Sequence, residues 1–277
     1  MVARRHWRTS AAVVVAAALG VCAGGCSGER AGAQEAASGG DAVAVLHGAA
    51  ARLVRAGTSQ ARTSMEMATG GTRVTIRGAG VYDYRERLGR LKVLLPEDPA
   101  GAREHRPITE LLAPGALFMK NRGAGVPADK WVRVDTGTLS DGNLVTGGVT
   151  DPYAAAEVLR GARTATYVGR TEVAGTPVRH YRGTADLALA ARDASAVNRG
   201  PLAAAAKGFA TAEVPFDVYL DDQGRIRKIR HRFSFVGGQS KDPVAVASTA
   251  LLYDFGVDVD VRLPQGADIY DGKIAEK

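Results

Sequence analysis

The sequence predicts an α+β protein built on one antiparallel sheet of about ten strands with three or four helices. Three observations carry this. Short runs of alternating apolar and polar residues follow one another through most of the chain, divided by glycine-containing turns, as half-buried strands joined by hairpins require. A few segments switch to helical spacing, and two of them open on an aspartate suited to cap a helix. Strands do not alternate with helices, and no glycine-rich turn leads from a strand into a helix, which argues against a nucleotide-binding α/β fold.

The first predicted element is a helix over Asp41–Gln60, where Val43, Leu46, Ala50, Leu53 and Val54 recur at helical spacing behind Asp41. Strands follow at Thr63–Ala68, Arg73–Tyr84 and Arg90–Leu95, with turns at Gly70-Gly71 and Arg87–Gly89. Two more read as Leu117–Asn121 and Trp131–Asp135. Asp151-Pro152 opens a helix to about Arg160, with proline at its first position. Thr164–Val173 and Val178–Asp186 form a hairpin around Gly175. Leu187–Arg192 and Pro201–Phe209 are alanine-rich helices. Val214–Leu220 and Arg225–Phe235 pair across Asp221-Asp222-Gln223-Gly224, and Ala245–Phe255 and Val257–Val261 complete the sheet.

Composition places this sheet behind an address. The 277 residues are 45% hydrophobic and 23% charged, as in a globular protein, with a formal net charge of +7 and two cysteines. Residues 1–26 hold both cysteines, Cys22 and Cys26, together with Arg4, Arg5 and Arg8 and no acid. Without them the formal charge is +4. A cationic start, an uncharged run rich in Ala and Val, and the small residues Ala23-Gly24-Gly25 before Cys26 have the layout of a secretory signal. The apolar run falls short of the roughly 20 residues of a membrane span.

Those small residues fit a lipobox, where a signal peptidase cuts before a cysteine whose thiolate takes up a lipid. Cys26 is the expected site. Cys22 is the alternative, with the better-suited Leu19 at its third preceding place and the worse-suited Val21 immediately before it. An ordinary signal peptide with incidental cysteines is the remaining alternative. Residues 27–40, SGERAGAQEAASGG, are small, polar and aperiodic, a flexible tether. Residues 41–277 contain no second linker and form one domain.

Several motifs stand in a specific order: DKWVRVD (129–135), DPYAAAEVLR (151–160), YVGRTEVAGTPVRHYRG (167–183), VPFDVYLDDQGRIRKIR (214–230) and YDFGVDVDVRLP (253–264). The most specific pieces are the hairpin holding Gly169, Val173, Gly175 and Tyr181 and the hairpin ending at Ile226. In this order the chain resembles the actinobacterial LppX/LprG-type lipoproteins of the LolA/LolB-like superfamily over nearly all of residues 41–264. The resemblance implies a strongly curved, half-open antiparallel sheet, a half-barrel with helices plugging its concave side and an apolar cavity for acyl chains between them. It also implies a lipid or other amphipathic ligand carried in the envelope space; together with the lipobox, this points to a protein held at the outer face of the plasma membrane through a diacylglyceryl anchor. The alternative is an envelope sensor whose curved sheet binds a partner protein.

Other chemistry has little support. In Arg225–Arg232, alternation puts Lys228, Arg230 and Arg232 on one side of a strand and Ile229, His231, Phe233 and Phe235 on the other. The three cations are candidates for contact with anionic headgroups, against the simpler reading of a solvated strand face. A pI near 9.6 also suits nucleic acid, but an export signal argues against that partner. No His/Cys metal frame appears. Asp258 and Asp260 stand in an acidic stretch without a calcium-loop frame. No G-x-S-x-G elbow or other catalytic motif is present, so neither an enzyme nor a cofactor is expected.

Overall fold

A computed structural model describes residues 41–69, 72–96, 106–123, 125–148, 150–236 and 243–271. Cys22, Cys26, the tether and the Gly70-Gly71 turn lie outside these residues. Eleven strands form one antiparallel sheet that is not closed. They are β1 (Thr58–Thr69), β2 (Thr72–Asp83), β3 (Leu88–Leu94), β4 (Ile108–Ala113), β5 (Ala116–Lys120), β6 (Trp131–Asp135), β7 (Ala162–Val173), β8 (Thr176–Asp186), β9 (Glu213–Leu220), β10 (Ile226–Val236) and β11 (Pro243–Tyr253). Their spatial order is β6-β5-β4-β3-β2-β1-β11-β10-β9-β8-β7. Two meanders thus meet at the central pairing of β1 with β11, where Gln60 faces Tyr253 and Ala68 faces Ala245.

Helices cover one face. Residues 41–47 form α1, and α2 (Ala49–Ala56), α3 (Pro152–Val158), α4 (Leu187–Asp193) and α5 (Ala196–Gly208) follow. Asp151 caps α3 by accepting the amides of Tyr153 at 2.7 Å and Ala154 at 3.0 Å, with Pro152 at the first position as its sequence predicts. Asp186 ends β8 and caps α4 in the same manner.

Four elements differ from expectation. The single helix expected over 41–60 is broken at Gly48 into α1 and α2 and ends at Ala56 rather than Gln60, because Gly57 takes φ +86 and its amide closes the helix onto Leu53 and Val54. β1 starts at once, at Thr58. Ile108–Ala113, which alternation did not single out, is a strand buried on both faces at its C-terminal half. Val257–Val261 is irregular. β1 and β10 already occupy both sides of β11, so a following segment finds no free edge, and the turn at Asp254 (φ +46) and Gly256 (φ +88) leads it away. Helix α5 begins at Ala196 and takes Pro201 into its interior.

The helices lie against the sheet and each other through small residues. A Cβ on Gly161 would strike the carbonyl oxygen of Asp186, one on Gly142 that of Pro201, and one on Gly208 that of Ser140. Ala49, Ala50, Ala156, Ala190 and Ala205 are fully buried among Leu46, Leu53, Leu159, Leu187 and Leu202. Alanine here serves close approach of backbones, and the layer is packed.

Candidate functional site

The helix-covered face of the sheet is apolar along most of its rows, as period-two alternation demands. One row across the strands reads Ile229, Ala250, Thr63, Gly78, Val93 and Ile108. The next reads Leu252, Ala61, Gly80, Leu91, Glu110 and Met119. A third begins His231, Ser248, Met65 and Ile76. Four polar residues therefore stand among hydrocarbon. Ser248 is satisfied, its hydroxyl 2.6 Å from that of Thr150, which in turn donates to the Leu144 carbonyl at 2.8 Å.

The other three are not satisfied. Among the described residues, Thr63 Oγ1, both carboxyl oxygens of Glu110 and His231 Nε2 are buried without a hydrogen-bond partner, as is Oδ1 of Asn143 in the loop laid over this face. Few buried polar atoms in a native protein stay unpaired, so each calls for water or a ligand to meet it. Burial pushes the Glu110 carboxyl up to about 8, against a smaller downward pull from Arg122. Burial pushes the His231 imidazole down to about 3. At neutral pH this face therefore carries a neutral acid and a neutral imidazole.

A crevice enters from the end of the sheet, between the turns of β2–β3 and β4–β5 and helices α3 and α5. Tyr82, Arg87, Leu112, Asn143, Tyr153 and Asn198 line it. Its volume is about 30 Å³, room for one or two waters and not for an acyl chain. The Tyr82 hydroxyl donates to Asp151 Oδ2 at 2.9 Å, and the Arg87 guanidinium lies 5.5 Å over the Tyr153 ring. Burial raises the Asp151 carboxyl, opposed by the amides it caps and by Tyr82.

On the opposite face β10 alternates as the sequence predicts. Ile229, His231 and Phe233 are buried, while Lys228, Arg230 and Arg232 point outward. Two of these cations are already engaged. Arg232 Nη2 sits 2.8 Å from Asp217 Oδ2, and Arg230 Nη2 sits 3.7 Å from Glu66 Oε2. Among the described residues, Lys228 has no acid partner and meets the Tyr219 ring, 5.2 Å from its Nζ. Asp217 also accepts from His180 and from Arg182, each at 2.8 Å. Burial alone would push its carboxyl up, but these three donors outweigh burial and hold it at about 2. The exposed Asp260 pairs with Arg262, 3.4 Å away.

Glu110 escaped the reading of the sequence because Ile-Thr-Glu-Leu-Leu-Ala did not register as a strand. Alternation of Ile108, Glu110 and Leu112 was the available signal, an acid at a core position.

No family model and no curated protein matches the chain. Among solved structures it is similar to LprF from Mycobacterium bovis, at 13% identity, over 82% of this chain and 98% of that one, with a TM-score of 0.41. It is also similar to the lipoprotein LppX of Mycobacterium tuberculosis, at 9% identity over 78% and 98% of the two chains, TM-score 0.43. A LolA superfamily protein from Nitrosomonas europaea is 11% identical over 77% and 94%, TM-score 0.34. These are the groups that the order of sequence motifs resembles.

Proposed function

We propose that this chain is a lipoprotein of the cell envelope that binds a lipid or other amphipathic ligand between its sheet and its helical cover. The observation that carries the reading is the character of the inner face. It is hydrocarbon interrupted by polar atoms of Thr63, Glu110, Asn143 and His231 that have no partner among the described residues. A molecule with an apolar body and a hydrogen-bonding head complements such a surface, since hydrocarbon alone leaves the polar atoms unmet and water alone gains nothing from the apolar rows. A neutral Glu110 suits an uncharged or anionic head, to which its carboxyl can donate.

The 30 Å³ crevice admits no acyl chain, so entry by this route requires α3 and α5 to part from the turns of β2–β3 and β4–β5. The anchor belongs to the same reading. Cys26, acylated with a diacylglyceryl group, tethers the domain through residues 27–40 to the extracytoplasmic side of the cell membrane, and Lys228 beside Arg230 and Arg232 meets anionic headgroups there.

Mass spectrometry of extracts from protein purified without strong detergent tests the ligand. The expected result is a lipid species in constant proportion to protein, depleted in a Glu110→Leu variant. Protein that folds and carries no lipid overturns the reading. Metabolic lipid labelling tests the anchor: label is lost in Cys26→Ser and kept in Cys22→Ser, and the reverse pattern moves the site to Cys22.

A further inference from the structure

Besides Lys228, a group of cations without acid partners among the described residues lies on the outer face two to four strands from β10. One row across that face reads Lys228, Leu251, Arg62, Ala79 and Lys92, and the next reads Arg230, Thr249, Ser64, Arg77 and Leu94. Directly opposed residues on one face of a sheet are neighbours. Ala79 thus leaves a gap between the two long cations Arg62 and Lys92, and Arg77 and Leu94 close its side. The result is a groove of about 360 Å³ over β1, β2 and β3, floored by Gly78 and Ala79.

Its chemistry is one-sided. Arg62, Arg77 and Lys92 are exposed, and none has an acid partner among the described residues. Arg62 lies 5.0 Å over the Tyr253 ring, which orients it without neutralising it. The floor and one wall are apolar, and Leu94 is 50% exposed. Three cations around an apolar strip complement an anion that carries hydrocarbon. A free phosphate would leave the strip wet, and a neutral lipid would leave the cations unmet.

We propose that this groove binds an anionic phospholipid, its phosphate between Arg62 and Lys92 above Ala79 and the start of its acyl chain along Leu94. The site lies on the face of the sheet opposite the interior and stands independently of the ligand proposed there. Arg77 adds charge at the end of the headgroup. A cation near an anionic lipid surface contributes roughly fivefold in affinity, so three supply a preference of up to about a hundredfold over a zwitterionic lipid.

The test uses the full chain in neutral maltoside micelles, titrated with acyl-labelled phosphatidylglycerol or phosphatidylcholine and followed by fluorescence anisotropy. Phosphatidylglycerol is expected to bind at least about tenfold more tightly at low salt, with the preference shrinking at high salt. The Arg62→Ala/Arg77→Ala/Lys92→Ala variant loses that preference while keeping its thermal transition and any co-purified interior lipid. Ala79→Glu keeps every cation and puts an acid on the exposed floor; it loses the preference as well, and it serves if the triple variant does not fold. Equal binding of the two lipids overturns the proposal, as does a preference that survives both variants. Displacement by inorganic phosphate at the affinity of the lipid also overturns it, since that makes the site one for a free anion. Loss of the co-purified lipid from an otherwise normal outer site would instead count against the interior reading alone.

Discussion

Asp217 shows how one side chain can decide the state of several others. It projects from β9 to the outer face yet is nearly buried, because His180, Arg182 and Arg232 close over it from β8 and β10. Its carboxyl is held at about 2, below the ordinary 3.8, so it stabilises the folded state at pH values above 3.8 and loses that contribution as pH falls through 2. The difference corresponds to roughly 2 kcal/mol. Asp217→Asn is expected to destabilise the protein by about that amount near pH 6 in urea unfolding, with the gap to wild type narrowing toward pH 2. Asp222→Asn, at an exposed turn position paired only loosely with Arg170, should stay within about 0.5 kcal/mol of wild type. Equal effects of the two variants would show that the cluster contributes nothing beyond an exposed ion pair. The same cluster engages Arg232, which is why the run of charges in β10 overstates the charge free to meet a ligand.

Two junctions carry the fit between elements. Asp221 opens the β9–β10 turn, its Oδ1 accepting the amides of Gln223 and Arg225 and its Oδ2 the Arg225 guanidinium at 2.8 Å. Asp221→Ala removes all three bonds and is expected to cost about 1–3 kcal/mol by chemical denaturation, where an unchanged midpoint would contradict the role. Gly161 lets the short helical turn after α3 (Leu159–Gly161) meet the start of α4 at backbone distance, against the Asp186 carbonyl and Ala190. Gly161→Ala should force them apart, at about 1–3 kcal/mol and a fall of several degrees in Tm measured by calorimetry. These junctions also mark how far the sequence could be read. Turn chemistry is local, so the β9–β10 and β7–β8 hairpins and the Asp151-Pro152 helix start were legible; the β7–β8 hairpin turns tightly at Ala174 and Gly175, both with positive φ, and its second strand starts at Thr176, two residues before the expected Val178. What depends on distant strands was not. Whether Val257–Val261 could join the sheet turned on both neighbours of β11 being taken. Whether the alanine-rich helices enclosed space or filled it turned on glycines at 142, 161 and 208, whose partners lie far along the chain. The outer groove was hidden for the same reason: Arg62, Arg77 and Lys92 are ordinary solvated positions on their own strands and become neighbours only through pairing.

At the scale of the molecule, the open sheet sets two buried groups of opposite acid–base sense on one inner face, and together they fix how stability responds to pH. Glu110 rises from 4.5 to about 8, so between those values the folded state holds a proton that the unfolded state releases. Stability from this group falls as pH rises. His231 drops from 6.5 to about 3, so between those values the unfolded state holds the extra proton, and stability rises with pH. Each slope amounts to roughly 1.4 kcal/mol per pH unit where it acts alone. Between 4.5 and 6.5 the two oppose each other and nearly cancel. Below 4.5 His231 acts, joined by Asp217 under 3.8, and stability is lost toward acid; above 6.5 Glu110 acts, and stability is lost toward pH 8. The expected profile of unfolding free energy is a plateau with two falling limbs. Glu110→Gln should remove the alkaline limb, and it should turn the plateau into a slope rising with pH. His231→Leu should remove the acid limb down to the range of Asp217 and leave a decline from pH 4.5 to 8. Urea unfolding at unit steps of pH reads all three profiles. Parallel curves for wild type and Glu110→Gln above pH 6.5 would mean that the Glu110 carboxyl is already ionised and partnered, which would also remove the neutral acid from the proposed ligand site.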